Sequence, residues 1–339
     1  MKSIKVEGPN NISIIETKMP TVTNPSDVLI RVRMAGICGS DMHIYHGTSP
    51  VATYPRVIGH EIVGEVLETG DSVTCFFPGD HVIVDPVISC GKCYPCSIGR
   101  RNVCEKLMVR GVHVEGGYQE YLIVSSDSIY KFSKEISWEE AVMIEPFTVA
   151  AQAVSRGAVT GSDIVCITGA GPAGLSILQV VKNTGATCII TDVNPSRLLL
   201  AKTMGADLAV NPSELDVTEE VLSLTGNVRP SVVFDAVGTS NTFEQAVKMV
   251  SNAGRVVLLG FNENPSQICQ LDITKSELDI RGSRLHNNKF PLVIDWFNNN
   301  MINAKAFISH EYHFTEIKKA IKMIEQNSVD LYKVILKFD

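Results

Sequence analysis

The sequence predicts an α/β protein in two parts, a β-rich barrel-like unit and a doubly wound parallel sheet. Three stretches carry that prediction. Gly36-Ile37-Cys38-Gly39-Ser40-Asp41-Met42-His43, with Gly59-His60-Glu61, gathers thiolate, imidazole and carboxylate groups between turn-forming glycines in a region of short strand patterns. Cys90, Cys93, Cys96 and Cys104 then fall within one short loop. Further on, Gly169-Ala170-Gly171-Pro172-Ala173-Gly174 joins a buried-type strand to a helical pattern, and strands and helices alternate from there.

The 339 residues suit two domains, each able to bury its own core. Glycine, proline and charged residues are at ordinary levels, which excludes a disordered or fibrous chain. The net charge of -7 and the scatter of Lys and Arg give no basic stripe, so no nucleic-acid partner is expected. No apolar run reaches the length of a membrane span. Residues 1–7 alternate like a strand and lack the apolar core of a signal peptide, so a cytoplasmic protein is expected. Nine cysteines without an export signal point to metal ligation rather than a disulfide framework. Cys75, Cys166, Cys188 and Cys269 are expected to be packing residues.

In chain order, Ser3 to Val6, Ser13 to Glu16 and Val28 to Met34 read as strands, punctuated by Gly8-Pro9, Pro20 and Asn24-Pro25. Ile62 to Leu67 and His81 to Val84 continue them, the latter after the turn Pro78-Gly79-Asp80. Loops between these strands are expected to carry the metal residues. Cys38 and His60 are the firm ligands of a catalytic zinc site, in which three protein ligands leave a fourth position open. The four later cysteines match a closed, structural tetrahedral zinc site. An iron–sulfur cluster is their chemical competitor, although no proline follows Cys104 and the last spacing is long.

Asp163 to Thr168 is a strand, and Leu175 to Asn183 a helix. Between them lies a dinucleotide fingerprint in its required context. Gly169 serves the tight turn, Gly171 the approach of the pyrophosphate, and Gly174 close helix–strand packing, with Pro172 and Ala173 at the helix N-terminus that faces the phosphates. Cys188 to Asp192 is the next strand. Asp192 at its end is expected to bind the adenosine ribose and select NAD over NADP, with Arg197 covering the adenine or ribose. Asp192 as a helix cap before Pro195 is the structural alternative. Val232 to Ala236, a helix from Thr242 to Val250, Arg255 to Gly260 and Leu278 to Gly282 extend the parallel sheet. Ile317 to Gln326 is amphipathic, and Lys333 to Leu336 is a closing strand expected to return to the first domain.

With these motifs in place, the whole chain resembles the zinc-dependent medium-chain alcohol and polyol dehydrogenases, to which Glu145-Pro146-Phe147 adds a further match. The resemblance implies a GroES-like catalytic domain over residues 1–146, completed by 285–339, and a Rossmann domain over 147–284, with the active site in the cleft. It implies that Glu61 or Glu145 completes the catalytic zinc shell, as in the sorbitol dehydrogenase branch, while the other holds water there. It implies that Asp41 supports the His60 imidazole, and that the enzyme is a homodimer or homotetramer.

Within the family the chain is similar to bacterial hexonate dehydrogenases and starvation-sensing proteins, through residues 54–61, 111–118 and 283–291. That similarity implies oxidation of C5 of L-gulonate to D-fructuronate, or of L-galactonate to D-tagaturonate. A polyol or secondary-alcohol dehydrogenase of the sorbitol or threonine type is the alternative, and a non-catalytic regulatory protein on the same fold is another. In the mechanism expected, Ser40 takes the proton of a zinc-activated hydroxyl and passes it through the cofactor ribose to His43. A sugar acid also needs a cation for its carboxylate: Arg284, Lys289, Arg110 and His113 are candidates by chemistry, with the segment 284–289 favoured. Tyr45 and Phe290 are expected to line the pocket.

Overall fold

β-Branched runs broken by Gly and Pro make the first unit a set of antiparallel sheets, and a helix after nearly every later strand makes the second parallel. The computed structural model describes residues 1–326 and 331–339. The chain divides into two compact units, one formed by Met1–Glu145 with Phe290–Asp339 and the other by Pro146–Lys289.

The first unit is organised on the strand Asp27–Ile37, nearly every residue of which is buried. This strand pairs antiparallel with Glu61–Thr69 on one side and Lys333–Lys337 on the other, and also with Tyr121–Ser125. The register sets Gly36 opposite both Glu61 and Ile335, so the start of one strand and the end of the chain meet at the same residue. Only glycine fits there: a side-chain carbon on Gly36 would lie within 1.8 Å of a Glu61 carboxylate oxygen. A three-stranded sheet, Asn11–Glu16, Lys2–Gly8 and Arg56–Val57, packs in the same core through Ile4, Val6 and Ile12. The strand Ile308–His313, which the sequence did not signal, runs parallel to Lys333–Lys337 at the sheet edge.

The second unit is a six-stranded sheet, parallel throughout, in the order Leu208–Val210, Thr187–Thr191, Ile164–Thr168, Val232–Asp235, Arg255–Leu258, Asp279–Gly282. Counted within the unit this is 3-2-1-4-5-6, the doubly wound order whose ligand site lies at the carboxyl ends where strand order reverses. The fingerprint loop leaves the first strand at that point.

The helix Val217–Thr225 was not read from the sequence, and Pro195–Thr203 entered only as the alternative role of Asp192, yet each carries a cap. Asn194 accepts from the Ser196 and Arg197 amides, and Asp216 from those of Thr218 and Glu219. The helix Ile144–Gly157 was also missed, because Pro146 interrupts its pattern. Pro146 sits in the first turn, where a missing N–H costs no intrahelical bond. Cys166 and Cys188 are buried packing residues as expected, but Cys75 and Cys269 are exposed, so that expectation is corrected for these two. Among the described residues no helix is long and apolar enough to cross a membrane.

Gly174 has the tightest surroundings of any glycine in the second unit. A side-chain carbon there would meet the Gly169 carbonyl oxygen at 1.8 Å. Gly174→Val is therefore expected to lower the denaturation midpoint and abolish NADH binding, measured by fluorescence titration; unchanged binding would show that the loop can shift to make room.

Candidate metal and dinucleotide sites

Cys38 and His60 lie in connections between regular elements, as expected, each next to an element end. Cys38 is the N-cap of the helix Gly39–His46, and His60 immediately precedes the strand that begins at Glu61. Glu145 lies in the first turn of the helix Ile144–Gly157. An element end fixes the backbone on one side while leaving the side chain free to converge on a point.

Asp41 draws the first cluster together. One carboxylate oxygen accepts from the Cys38 amide at 2.9 Å and the Tyr118 hydroxyl at 3.0 Å. The other accepts from the Gly59 amide at 3.2 Å and faces His60 Nδ1 at 3.6 Å, an ion-pair distance rather than a hydrogen bond. Asp41 is buried, and its carboxyl stays below the usual range because His60 and these donors outweigh the cost of burial. Burial likewise opposes charge on His60, but Asp41 and Cys38 raise its pKa well above the ordinary value. The same surroundings, with Glu61 added, push the Tyr118 hydroxyl well up, so it stays a donor.

Cys38, His60 and Glu61 each place a ligand atom within 4.8 Å of the others. A half-buried sulfur with a buried nitrogen and oxygen fits zinc. Glu145 is buried too, and acts on the charge of Lys333. Lys333 is the functional group that the sequence reading missed. Its Nζ donates to both Glu61 oxygens, at 2.6 and 2.8 Å, and lies 3.4 Å from the Ile37 carbonyl. Burial opposes its charge, but Glu61 and Cys38 prevail and raise its pKa. Period-two alternation puts Lys333 and Lys337 on one face of the strand, and only the first is buried, so no local signal distinguishes them.

Ser40 is half-buried and His43 exposed; their spacing places them on one face of the helix. His43 Nδ1 lies 2.9 Å from Thr48 Oγ1, and Tyr45 is half-buried against the core of the first unit. The expectation that Phe290 lines a pocket is corrected: it is fully buried and stacks on Tyr130 at 5.0 Å. Arg284 lies over the ring of Phe261, and Lys289 is half-buried with its pKa lowered by burial; both belong to the other unit.

Cys90, Cys93, Cys96 and Cys104 bring their sulfurs within 4.8 Å of one another. Backbone amides of Lys92 and Cys93 lower the Cys90 pKa to about 6, and the amides of Cys90 and Lys106 each lie 3.3 Å from the Cys104 sulfur. Donors aimed at the Cys90 sulfur favour thiolate, the form that binds metal, whereas burial and the Cys93 and Cys104 sulfurs push the Cys96 pKa up to about 11.

In the second unit Gly169 has φ +95° and Gly171 caps the helix Pro172–Lys182, with nothing within 4 Å of the space a side-chain carbon would take. This leaves the cradle open for a phosphate at the helix N-terminus, where Ala173 is exposed. Asp192 accepts from the Ala170 and Asn194 amides, each at 2.8 Å, and Arg197 lies 3.8 Å from it. Asp192 therefore braces the fingerprint loop, and the cap of the next helix is Asn194 instead.

The family model for the alcohol dehydrogenase GroES-like domain matches residues 24–134, and that for the zinc-binding dehydrogenase matches residues 172–299. The starvation-sensing protein RspB of Escherichia coli is 43% identical over 100% of this chain and 99% of its own length. The chain belongs to the zinc-dependent medium-chain alcohol dehydrogenase family. L-galactonate-5-dehydrogenase of Escherichia coli is 31% identical, covering 94% of this chain and 93% of the relative. A crystal structure of RspB from E. coli CFT073, complexed with NADH, has a TM-score of 0.94 at 44% identity and covers 100% of this chain and 99% of the other. This dehydrogenase thus acts on CH–OH groups with zinc and a nicotinamide dinucleotide.

Breaking the buried Glu61–Lys333 pair strands a charge. Lys333→Met is expected to cost about 3–5 kcal/mol in chemical denaturation. The deficit should be smaller in the Lys333→Met, Glu61→Gln double variant. A single variant as stable as the wild type would show that the pair carries no weight.

Proposed function

We propose that the enzyme oxidises a secondary hydroxyl of a sugar acid with NAD, at C5 of L-gulonate or L-galactonate. The convergence of Cys38, His60 and Glu61 beside the Ser40–His43 face carries the chemistry. The similarity to a relative named for L-galactonate supports the substrate class.

Cys38, His60 and Glu61 are assigned to hold the catalytic zinc, with Glu145 as a further acceptor beside it; Cys90, Cys93, Cys96 and Cys104 hold the structural one. A zinc ion so held would lower the pKa of a substrate hydroxyl, and the nicotinamide would accept hydride. The chain's own residues manage the proton and the positions. Ser40 accepts the proton and His43 carries it to solvent, Thr48 fixing Nδ1 so that Nε2 remains for exchange. Asp41 holds the backbone of Cys38 and Gly59 and turns the His60 ring. Gly169, Gly171, Pro172, Ala173 and Gly174 seat the pyrophosphate. Val193 and Val237, exposed beyond the carboxyl ends of the two strands that flank Ile164–Thr168, offer apolar surface to the adenine. Asp192, with Arg197, favours the free ribose hydroxyls of NAD.

Two measurements test this reading. NADH formation by the zinc-loaded enzyme should be strong with L-gulonate or L-galactonate and weak with sorbitol, threonine and simple secondary alcohols, and Cys38→Ala should lose turnover while still binding NADH. Turnover of sorbitol with inert hexonates would move the enzyme to the polyol class. Asp192→Ser should narrow the preference for NAD over NADP by roughly tenfold; an unchanged ratio would leave Asp192 a bracing residue alone.

A further inference from the structure

A cation withdrawn from water is costly unless an anion faces it. Lys333 has Glu61, Arg255 has Asp163, and Arg56 lies 3.4 Å from Glu115. Arg110, half-buried, has no such partner among the described residues. Its Nη1 donates to the Glu115 carbonyl at 3.1 Å, and its Nε is buried with no acceptor. The Glu115 carboxylate is engaged elsewhere, on the Val57 amide at 2.5 Å and on Arg56. Burial lowers the pKa of Arg110, and no neighbouring charge opposes it.

The place of this arginine makes the unmatched charge informative. A side-chain carbon on Gly111 would sit 2.6 Å from the Gly59 carbonyl oxygen, and one on Gly116 would sit 2.4 Å from the same atom. The amides of Gly116, Gly117 and Tyr118 donate to the carbonyls of Val57, Gly59 and Ile58 at 2.7, 2.9 and 3.0 Å. The loop bearing Arg110 is therefore pinned to the backbone immediately before His60. A planar guanidinium with free donors suits a carboxylate better than the point charge of a lysine. Lys289 is desolvated too, but it belongs to the other compact unit.

We propose that Arg110 receives the carboxylate of the substrate and so sets the preference for a sugar acid over the corresponding polyol. The assignment rests on the sugar-acid reading above. The test uses the zinc-loaded enzyme with NAD on L-gulonate and L-galactonate, and on sorbitol and galactitol, in which a CH2OH group replaces the carboxylate.

Arg110→Met is expected to raise the hexonate KM by about 10- to 100-fold, with kcat changed far less. Polyol KM, zinc content and NADH affinity should stay at wild-type values, which a merely structural role would not produce. Arg110→Lys should recover part of the loss. A hexonate KM unchanged in Arg110→Met, or raised instead in Lys289→Met, would overturn the assignment while leaving the sugar-acid reading intact. A wild-type enzyme inert toward both hexonates would remove that reading, and this proposal with it, before any variant is made. If Arg110→Met does not fold, Arg110→Lys decides, because it keeps charge but loses the paired donors: an unchanged hexonate KM there also overturns the proposal.

Discussion

Collecting several acids around a thiol and an imidazole in a dry interior is unfavourable unless positive charge is buried with them. Asp41, Glu61 and Glu145 are all buried here, and Lys333 is the cation that the chain supplies. Much of the first unit follows from that requirement. Lys333 comes from a strand near the end of the chain, so that strand pairs with Asp27–Ile37, and Gly36 stays bare to admit the Glu61 carboxylate. The tail thus belongs to the cluster of Cys38, His60 and Glu61 and is not an appendage to it.

The two cysteine-bearing sites solve different problems with different surroundings. Around Cys90 to Cys104 the supporting groups are backbone amides, which stabilise thiolate without presenting any group to a substrate. Around Cys38 they are side chains, Asp41, Tyr118 and Lys333, each with a second bond that fixes its direction. A shell of four sulfurs closes on its metal. A mixed set of sulfur, nitrogen and oxygen leaves a position for chemistry, and needs the second layer to keep its members aimed.

In the second unit the glycines do the positioning. Gly169 turns left-handed, Gly174 lets the helix touch the loop, and Asp192 ties the loop to the neighbouring strand through the Ala170 amide. One carboxylate at the end of that strand therefore braces the loop. It is Asn194 that caps the helix, while both Asp192 oxygens are held by the Ala170 and Asn194 amides.

The sequence by itself determined what depends on spacing within a short stretch. The glycine fingerprint, the four cysteines, the Cys38 and His60 motifs and the strands around them all depend on backbone geometry and ligand chemistry of local reach, and were legible from their own residues. What it left unread depends on contacts between distant residues. Lys333 meets Glu61 across 272 positions, and Tyr118 meets Asp41 across 77. Neither pairing leaves a trace in the residues on either side. Phe290 and Arg110 show the same limit: an aromatic and a cation announce their chemistry, but only the packing around them decides whether the ring is core and whether the charge has a partner. Tertiary structure decided those points because burial and charge balance are properties of the surroundings, which the folded chain alone assembles.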